Sequence, residues 1–256
     1  MRFASLGSGS QGNALIVEAA GTRVLIDAGF SARTLVQRLS RLSLVPEQIN
    51  GIFITHEHGD HISGAFRFAA RFNIPVYLTQ GTFLALGLDV SKTSCTCHLI
   101  DSHSPFTLND LLITPFPVPH DTREPVQYLL SDGQHRLGVL TDTGSVTPHI
   151  VEMLKACDAL ILECNHEPEL LAASSYPART RQRISGNYGH LSNQQAAALL
   201  ARVKTDRLQH IVAAHLSMQN NQPALAAKAL AEALGCHHDW VGIASQSEGF
   251  DWRELS

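Results

Sequence analysis

Long apolar runs are missing from this chain of 256 residues. None approaches the ~18 consecutive apolar residues of a membrane-spanning helix, so no integral membrane helix is expected. The start, Met1-Arg2-Phe3-Ala4-Ser5-Leu6-Gly7, has no apolar stretch of the secretory kind. Cysteine is scarce and odd in number, five in all, with only Cys95 and Cys97 close together. That is no disulfide framework; it fits a reducing compartment, and a cytoplasmic location is expected. There is no excess of positive charge either. Lys and Arg number 19 against 23 Asp and Glu, a net charge of −4. Indiscriminate coating of duplex nucleic acid relies on basic surfaces and is not expected. An enzyme drawing its positive charge from bound metal and a local patch remains compatible. Internal repeats, low-complexity tracts and linkers are also lacking, and one domain spanning 1–256 is the expectation.

What is present is a hydrophobic content of 44% with 16% charged residues, which excludes a disordered chain or a coiled coil. Fourteen histidines raise the prospect of metal. Strands are read at Phe3–Leu6, then at 14–18 and 23–26 as a hairpin across Ala20-Gly21-Thr22. Ser31 caps a helix carrying Leu35, Leu39 and Leu42. A short buried strand, Ile52–Thr55, precedes a helix read over 61–72. Further strands are expected at 76–78, 98–101, 111–114, 126–131, 137–140, 159–162 and 211–214. Helices are read after Pro148, after the capping box of Ser192 and Gln195, and from Pro223 to the stop at Gly235. The stretch 167–189 reads as a long surface segment. Strands first, then βα alternation, suit mixed sheets covered by helices.

The strongest motif is Thr55-His56-Glu57-His58-Gly59-Asp60-His61, between a buried strand and a helix. In an extended segment positions i and i+2 share a side, so His56 and His58 can reach one metal together. Beyond the turn at Gly59, Asp60 and His61 approach from another direction and can address a second ion, typically ~3.5–4 Å from the first. More ligands are needed. His120, Asp142 and His215 each follow an apolar strand-like run and supply candidates.

This pattern, His-x-His-x-Asp-His with later His, Asp and His, resembles the metallo-β-lactamase fold superfamily over essentially the whole chain. The resemblance implies an α/β fold, an αββα sandwich of two mixed β-sheets face to face with helices outside. It implies that His56, His58 and His120 hold one metal, that Asp60, His61 and His215 hold another, and that Asp142 bridges them. Asp27 matches an early aspartate that orients the cluster from behind, or is a turn residue before Gly29. A carboxylate at 142 suits two hard or borderline divalent ions, Zn, Mn or Fe, and a bridging hydroxide able to attack phosphodiesters, thioesters or lactones.

Glu163 and then Gly189-His190-Leu191-Ser192 resemble the phosphodiesterase and nuclease branch. By that resemblance His190 is the general acid, with Glu163 its partner. Ser8-Gly9-Ser10-Gln11-Gly12-Asn13, Thr141-Asp142-Thr143-Gly144, Tyr176-Pro177 and His215-Leu216-Ser217 with Asn220-Asn221 are similar to the YycJ/WalJ group of bacterial metallohydrolases. That implies a 5′-to-3′ DNA exonuclease supported by Mn, with Asp60 essential. The rivals are a small-molecule hydrolase, of cyclic phosphates or of thioesters and lactones, and a non-catalytic binding member. His215 follows Asp142 by 73 positions, too few for a large inserted RNA-clamping domain, and no long basic arm is present. DNA is therefore expected over RNA, with a small phosphodiester as the other substrate class.

Substrate contacts are read more loosely. The loop from Gly7 to Asn13, with Ser10 and Asn13, is either a phosphate nest or a plain hairpin loop. Arg179, Arg181 and Arg183 would share a side if extended and, with Arg123, form a local basic patch or merely a solvated face. Tyr176 and Tyr188 are possible stacking platforms. Asn220 and Asn221 either meet phosphate or shape their loop. Cys95 and Cys97 read as one face of a strand. The oligomeric state is not legible.

Overall fold

The computed structural model describes residues 1–87, 94–203 and 206–256. β1 (Arg2–Gly7), β2 (Ala14–Ala19) and β3 (Thr22–Ile26) form an antiparallel meander. Phe3, Leu15, Val17, Val24 and Ile26 face one apolar cluster, while Ala4, Leu6, Ile16 and Leu25 face another. With both faces covered, these strands are apolar at nearly every position. β4 (Gly51–Phe53), β5 (Val76–Thr79) and β6 (Cys97–Ile100) extend the sheet in parallel.

Helix α1 (Ala32–Arg41) starts where the Ser31 hydroxyl accepts a hydrogen bond from Thr34 N. It lays Leu35 and Leu39 on the sheet's outer face. The helix expected over 61–72 is broken into α2 (Gly59–Ile62) and α3 (Ala65–Phe72). The break has a steric cause at Gly64. Its N–H donates to Ala28 O, and a Cβ there would lie 1.7 Å from Phe30 O. The chain must turn at that point to pass the loop that carries Asp27. A short helix α4 (Gln80–Ala85), capped by Thr79, was not anticipated.

The second sheet runs β7 (Phe106–Leu108), β8 (Leu111–Pro117), β9 (Val126–Ser131) and β10 (Arg136–Leu140), all antiparallel. β11 (Ala159–Glu163), β12 (His210–Ala214) and β13 (Val241–Ile243) then add in parallel. β14 (Phe250–Glu254) crosses back to pair with β1, so each sheet has seven strands among the described residues. β7, β13 and β14 were not read from sequence. They are short or partly exposed edge strands; β7 pairs with the adjoining β8, whereas β13 and β14 pair with β12 and β1, farther away in the chain. Helices α5 (Pro148–Leu154), α8 (Asn193–Leu200) and α9 (Pro223–Leu234) cover the outer face through Ile150, Leu154, Leu199 and Leu230. The stretch 167–189 is not an extended segment. It holds α6 (Pro168–Ala173) and α7 (Ala178–Ile184), and α7 buries no residue, which leaves no apolar period to read.

The layers are thus helix, sheet, sheet, helix. Between the sheets lie Phe3, Phe53, Tyr128, Leu130, Val139 and Val212, and the Tyr128 hydroxyl donates to Ile54 O across the interface. Cys95 and Cys97 both pack, partly buried, on the outer cluster of the first sheet, and all five cysteines are free. No helix among the described residues is long and apolar enough to cross a membrane.

Strand direction decides where the site forms. β3 and β4 are parallel, and β10, β11 and β12 are parallel. Two antiparallel steps give β8 the same sense as β10. The residues that follow all six strands therefore emerge along one edge of the sandwich, as ligand-bearing loops do at the carboxyl ends of parallel strands. Gly29 lets two of these loops touch, because a Cβ there would sit 1.7 Å from Asp60 O. Gly29→Ala is expected to lower Tm by about 4–8 °C, since overpacking against backbone cannot relax by rotamer change; thermal unfolding followed by circular dichroism measures it.

Candidate metal centre

Asp27 follows β3 and His215 follows β12, and both take left-handed backbone conformations, with φ of 62° and 54°. Non-glycine residues pay for that geometry only where neighbours hold it in place. Asp27 is held by Thr55, whose N–H and hydroxyl both donate to its carboxylate at 2.8 Å. His215 is held by its N–H on the Ser8 hydroxyl (2.9 Å) and by Asn165 Nδ2 donating to its carbonyl (3.1 Å).

Three imidazoles converge first. His58 Nδ1 lies 3.1 Å from His56 Nε2 and 3.2 Å from His120 Nε2. The opposite nitrogens of the two buried rings are occupied: His56 Nδ1 by the Thr55 hydroxyl, His120 Nδ1 by Gly189 O at 3.0 Å. That fixes which atoms face inward. Burial, together with the neighbouring imidazoles, lowers the pKa of all three. Neutral rings with lone pairs turned to a common point are metal ligands in waiting.

Beside them stand Asp60, His61 and His215. Asp60 Oδ2 is 3.4 Å from His61 Nε2 and 3.2 Å from His215 Nε2. His61 Nδ1 donates to Asp27 Oδ2 at 2.7 Å, leaving Nε2 directed at Asp142 Oδ2, 3.2 Å away. Burial works against a charged His61 and His215. The Asp142 carboxylate outweighs it, with Asp27 at His61 and Asp60 at His215; His61 is held well above its usual range and His215 at about 10. Asp142 itself is held well below the carboxylate range: burial opposes ionisation, and His215 and His61 overcome it.

Asp142 belongs to both groups. Its oxygens lie within 4.8 Å of ligand atoms of His56 and His61 on one side, and of Glu163, His190 and His215 on the other. It is 1% exposed, and its Oδ2, although 3.2 Å from His61 Nε2, has no well-aligned hydrogen bond. A buried carboxylate oxygen without a well-aligned donor costs free energy. A divalent cation between the two clusters would satisfy it, so the donor set fits a divalent-metal site.

Glu163, at the end of β11, accepts from Thr143 N (3.0 Å), Leu191 N (3.2 Å) and His190 Nδ1 (2.7 Å). His190 is also 3.3 Å from Asp142 Oδ1. Burial disfavours its cation, but Glu163 and Asp142 raise it to about 9. With Nδ1 engaged, Nε2 is the nitrogen left for a ligand.

A pocket of about 370 Å³ opens over the cluster, lined by His58, Asp60, Asp142, His190, His215, Ser10, Asn165, Tyr176, Thr180, Arg183, Ile184 and Ser217. Arg183 is the only lysine or arginine among them. The three arginines do not share a side. They lie on helix α7, where Arg181 turns back to the carbonyls of Ser174 and Tyr176 and Arg183 pairs with Asp121. Arg179 and Arg123 do not line the pocket. Ser10 does. Asn13 is buried and turns inward, its Nδ2 near Asp60 Oδ2 (3.3 Å) and His61 Nε2 (3.2 Å), its Oδ1 on Gly9 N and the Ser8 hydroxyl. Asn220 and Asn221 do not face the pocket either. Asn220 bonds the Ser217 hydroxyl, and Asn221 donates to Cys164 O and Asn193 Oδ1, which ties the loop after His215 to β11 and α8. Sequence reasoning assigned no role to Thr55, Ser8, Asn165 or Asp121. Each adjoins a candidate ligand or follows closely on a strand end, which was the signal available.

Residues 22–211 match the family described as Beta-lactamase superfamily domain. The chain is 34% identical over 235 residues to the exodeoxyribonuclease YycJ of Bacillus anthracis, covering 91% of this chain and 89% of that protein. It is 32% identical over 247 residues to the exodeoxyribonuclease WalJ of Streptococcus pneumoniae, covering 94% and 91%. The metallo-β-lactamase fold protein YhfI from Bacillus subtilis superposes with a TM-score of 0.77 at 16% identity, covering 99% of this chain and 98% of that one. The chain belongs to the metallo-β-lactamase superfamily, and within it to the family that contains YycJ and WalJ. It is an enzyme of that metallohydrolase fold, with the clustered histidines and aspartates of a divalent-metal site.

Asp27→Asn keeps a residue type that tolerates the left-handed backbone but weakens the hold on His61. Its affinity for Zn²⁺ or Mn²⁺ is expected to fall roughly 10–100-fold with Tm little changed, as read by competition with a chromogenic chelator. Unchanged affinity would make Asp27 an ordinary turn residue.

Proposed function

We propose that this protein is a binuclear metal-dependent phosphodiesterase acting as a 5′-to-3′ DNA exonuclease. The observation that carries the reading is the His190–Glu163 pair set against Asp142, beside two converging ligand groups under one pocket. The likeness to two exodeoxyribonucleases over about nine-tenths of each chain supports the DNA substrate. The apolar core shared by the two sheets supports reading residues 1–256 as one domain. Buried free thiols at Cys157 and Cys164 support a cytoplasmic setting.

In this mechanism His56, His58 and His120 would hold one ion and Asp60, His61 and His215 another, with Asp142 available to both. When bound, such ions (Zn, Mn or Fe) would supply a water-derived nucleophile at neutral pH and offset charge on the phosphoryl oxygens. The protein's residues do the rest. Arg183 and Ser10 line the pocket where a phosphodiester would lie and can hold its free oxygens. Glu163 keeps the His190 ring oriented and its cation stable, so that His190 can deliver a proton to the leaving oxygen. Thr55 and Asp27 hold His61 in place from behind.

A second reading, hydrolysis of a small phosphodiester, is favoured by pocket size. About 370 Å³ suits a small ligand as well as a strand end. The same His190–Glu163 pair favours phosphate esters over thioesters, whose thiolate leaving group needs less protonation.

The deciding test is duplex DNA with a 5′-phosphate, labelled at either end and incubated with Mn²⁺. Stepwise shortening from the 5′ end is expected, absent with Asp60→Ala or excess chelator. Intact DNA from a protein carrying two metals would favour the small phosphodiester. His190→Ala should retain its metals and lose about 10²–10⁴-fold in kcat. Full activity in that folded variant would overturn the role given to His190.

A further inference from the structure

A second hollow, of about 810 Å³, is lined by Pro117, Pro119, Ser145, His149, Asn187 and Tyr188 among others. Three of its lining segments run directly into the metal cluster. Pro119 precedes His120, Ser145 follows Asp142 by three positions, and Tyr188 precedes His190 by two. These segments are tied together. Gly144 N donates to Pro119 O at 2.7 Å, and the Ser145 hydroxyl to Asn187 O at 3.2 Å. A Cβ on Gly144 would lie 2.3 Å from Gly189 N, so the loops are in direct backbone contact. The segments that line the hollow are thus continuous with, and tied to one another beside, those that carry His120, Asp142 and His190.

Their chemistries differ. The metal pocket is lined by carboxylates, imidazoles and an arginine. The second hollow has no Asp, Glu, Lys or Arg among its lining residues; it offers ring faces, hydroxyls and one neutral amide. Tyr188 is 64% exposed, and among the described residues no aromatic ring packs on it. A large aromatic side chain held out in solvent beside a charged site is a platform without an occupant in the fold. An uncharged, planar, heteroaromatic group with amide-like donors and acceptors matches such a surface, and every base has a face that stacks on an aromatic ring.

We propose that this hollow is the seat of a nucleobase, with Tyr188 as its stacking platform, for the nucleotide whose phosphate lies at the metal centre. The proposal rests on the phosphodiester reading above and adds that the substrate is a nucleotide recognised through its base as well as its phosphate. Recognition through stacking is tolerant of sequence, as an enzyme moving along a strand requires.

The test uses the metal-loaded protein and two probes, deoxythymidine 5′-monophosphate and deoxyribose 5-phosphate, titrated by calorimetry. The wild-type protein is expected to bind the nucleotide roughly tenfold more tightly. Tyr188→Ala should lose most of that preference and Tyr188→Phe should keep it. Melting temperature and metal content, followed in parallel, establish that each variant is intact. Equal affinities in the wild type, no measurable binding of either probe, or a preference undiminished in Tyr188→Ala would each overturn the proposal. No DNA is cleaved in this experiment, so a negative result in the digestion assay and a negative result here are separate outcomes.

Discussion

The buried carboxylate of Asp142 is the interaction around which this molecule is arranged. It is 1% exposed and has His61 on one side and His190 and His215 on the other, all within 3.2–3.6 Å. His61 comes from the first sheet; His190 and His215 come from the second. A buried charge is tolerated only when it is paired and hydrogen-bonded, so the two sheets must meet at a fixed offset along this edge. The apolar contact between Phe53, Tyr128 and Val139 sets that offset. The imidazoles need the carboxylates as much as the reverse, because close-packed rings that charge would otherwise repel.

Around this core the supporting contacts are short and local. Thr55 alone bonds Asp27 through two atoms and His56 through its hydroxyl. Glu163 receives three donors from two different segments. Asp27 and His215 carry left-handed backbone at strand ends, a strain of order 1–3 kcal/mol each that the surrounding bonds offset. Glycines at 29, 64 and 144 sit where loops cross at backbone distance. The edge is therefore rigid where ions would bind. The wall over the pocket is built differently: α7 buries nothing in the core and is linked across the site by Arg183 to Asp121. Rigid ligands beneath a lightly anchored wall suit a site that must admit and release its substrate.

Much of this was legible in the residues themselves. The spacing of His56, His58, Asp60 and His61 set two ligand groups apart because an extended segment and a helix start project side chains differently. The apolar runs before His120, Asp142 and His215 marked strand ends. Ser31, Ser192 and Gly235 marked helix ends through capping chemistry that acts over three or four residues. These features survive because they depend on local geometry. Tertiary structure decided what local geometry cannot. Gly64 breaks a helix whose apolar period runs on unbroken, because Phe30 O lies against it. α7 forms with no buried face, so three arginines that would share a side in an extended segment are split, Arg181 turning away from the face of Arg179 and Arg183. Asn220 and Asn221 turn inward to tie loops together. β14 pairs with β1 across the length of the chain. For Gly64, Asn221 and β14 the deciding atom belongs to a residue distant in sequence, and hydrogen bonding and steric exclusion at that distance leave no periodic trace in the chain.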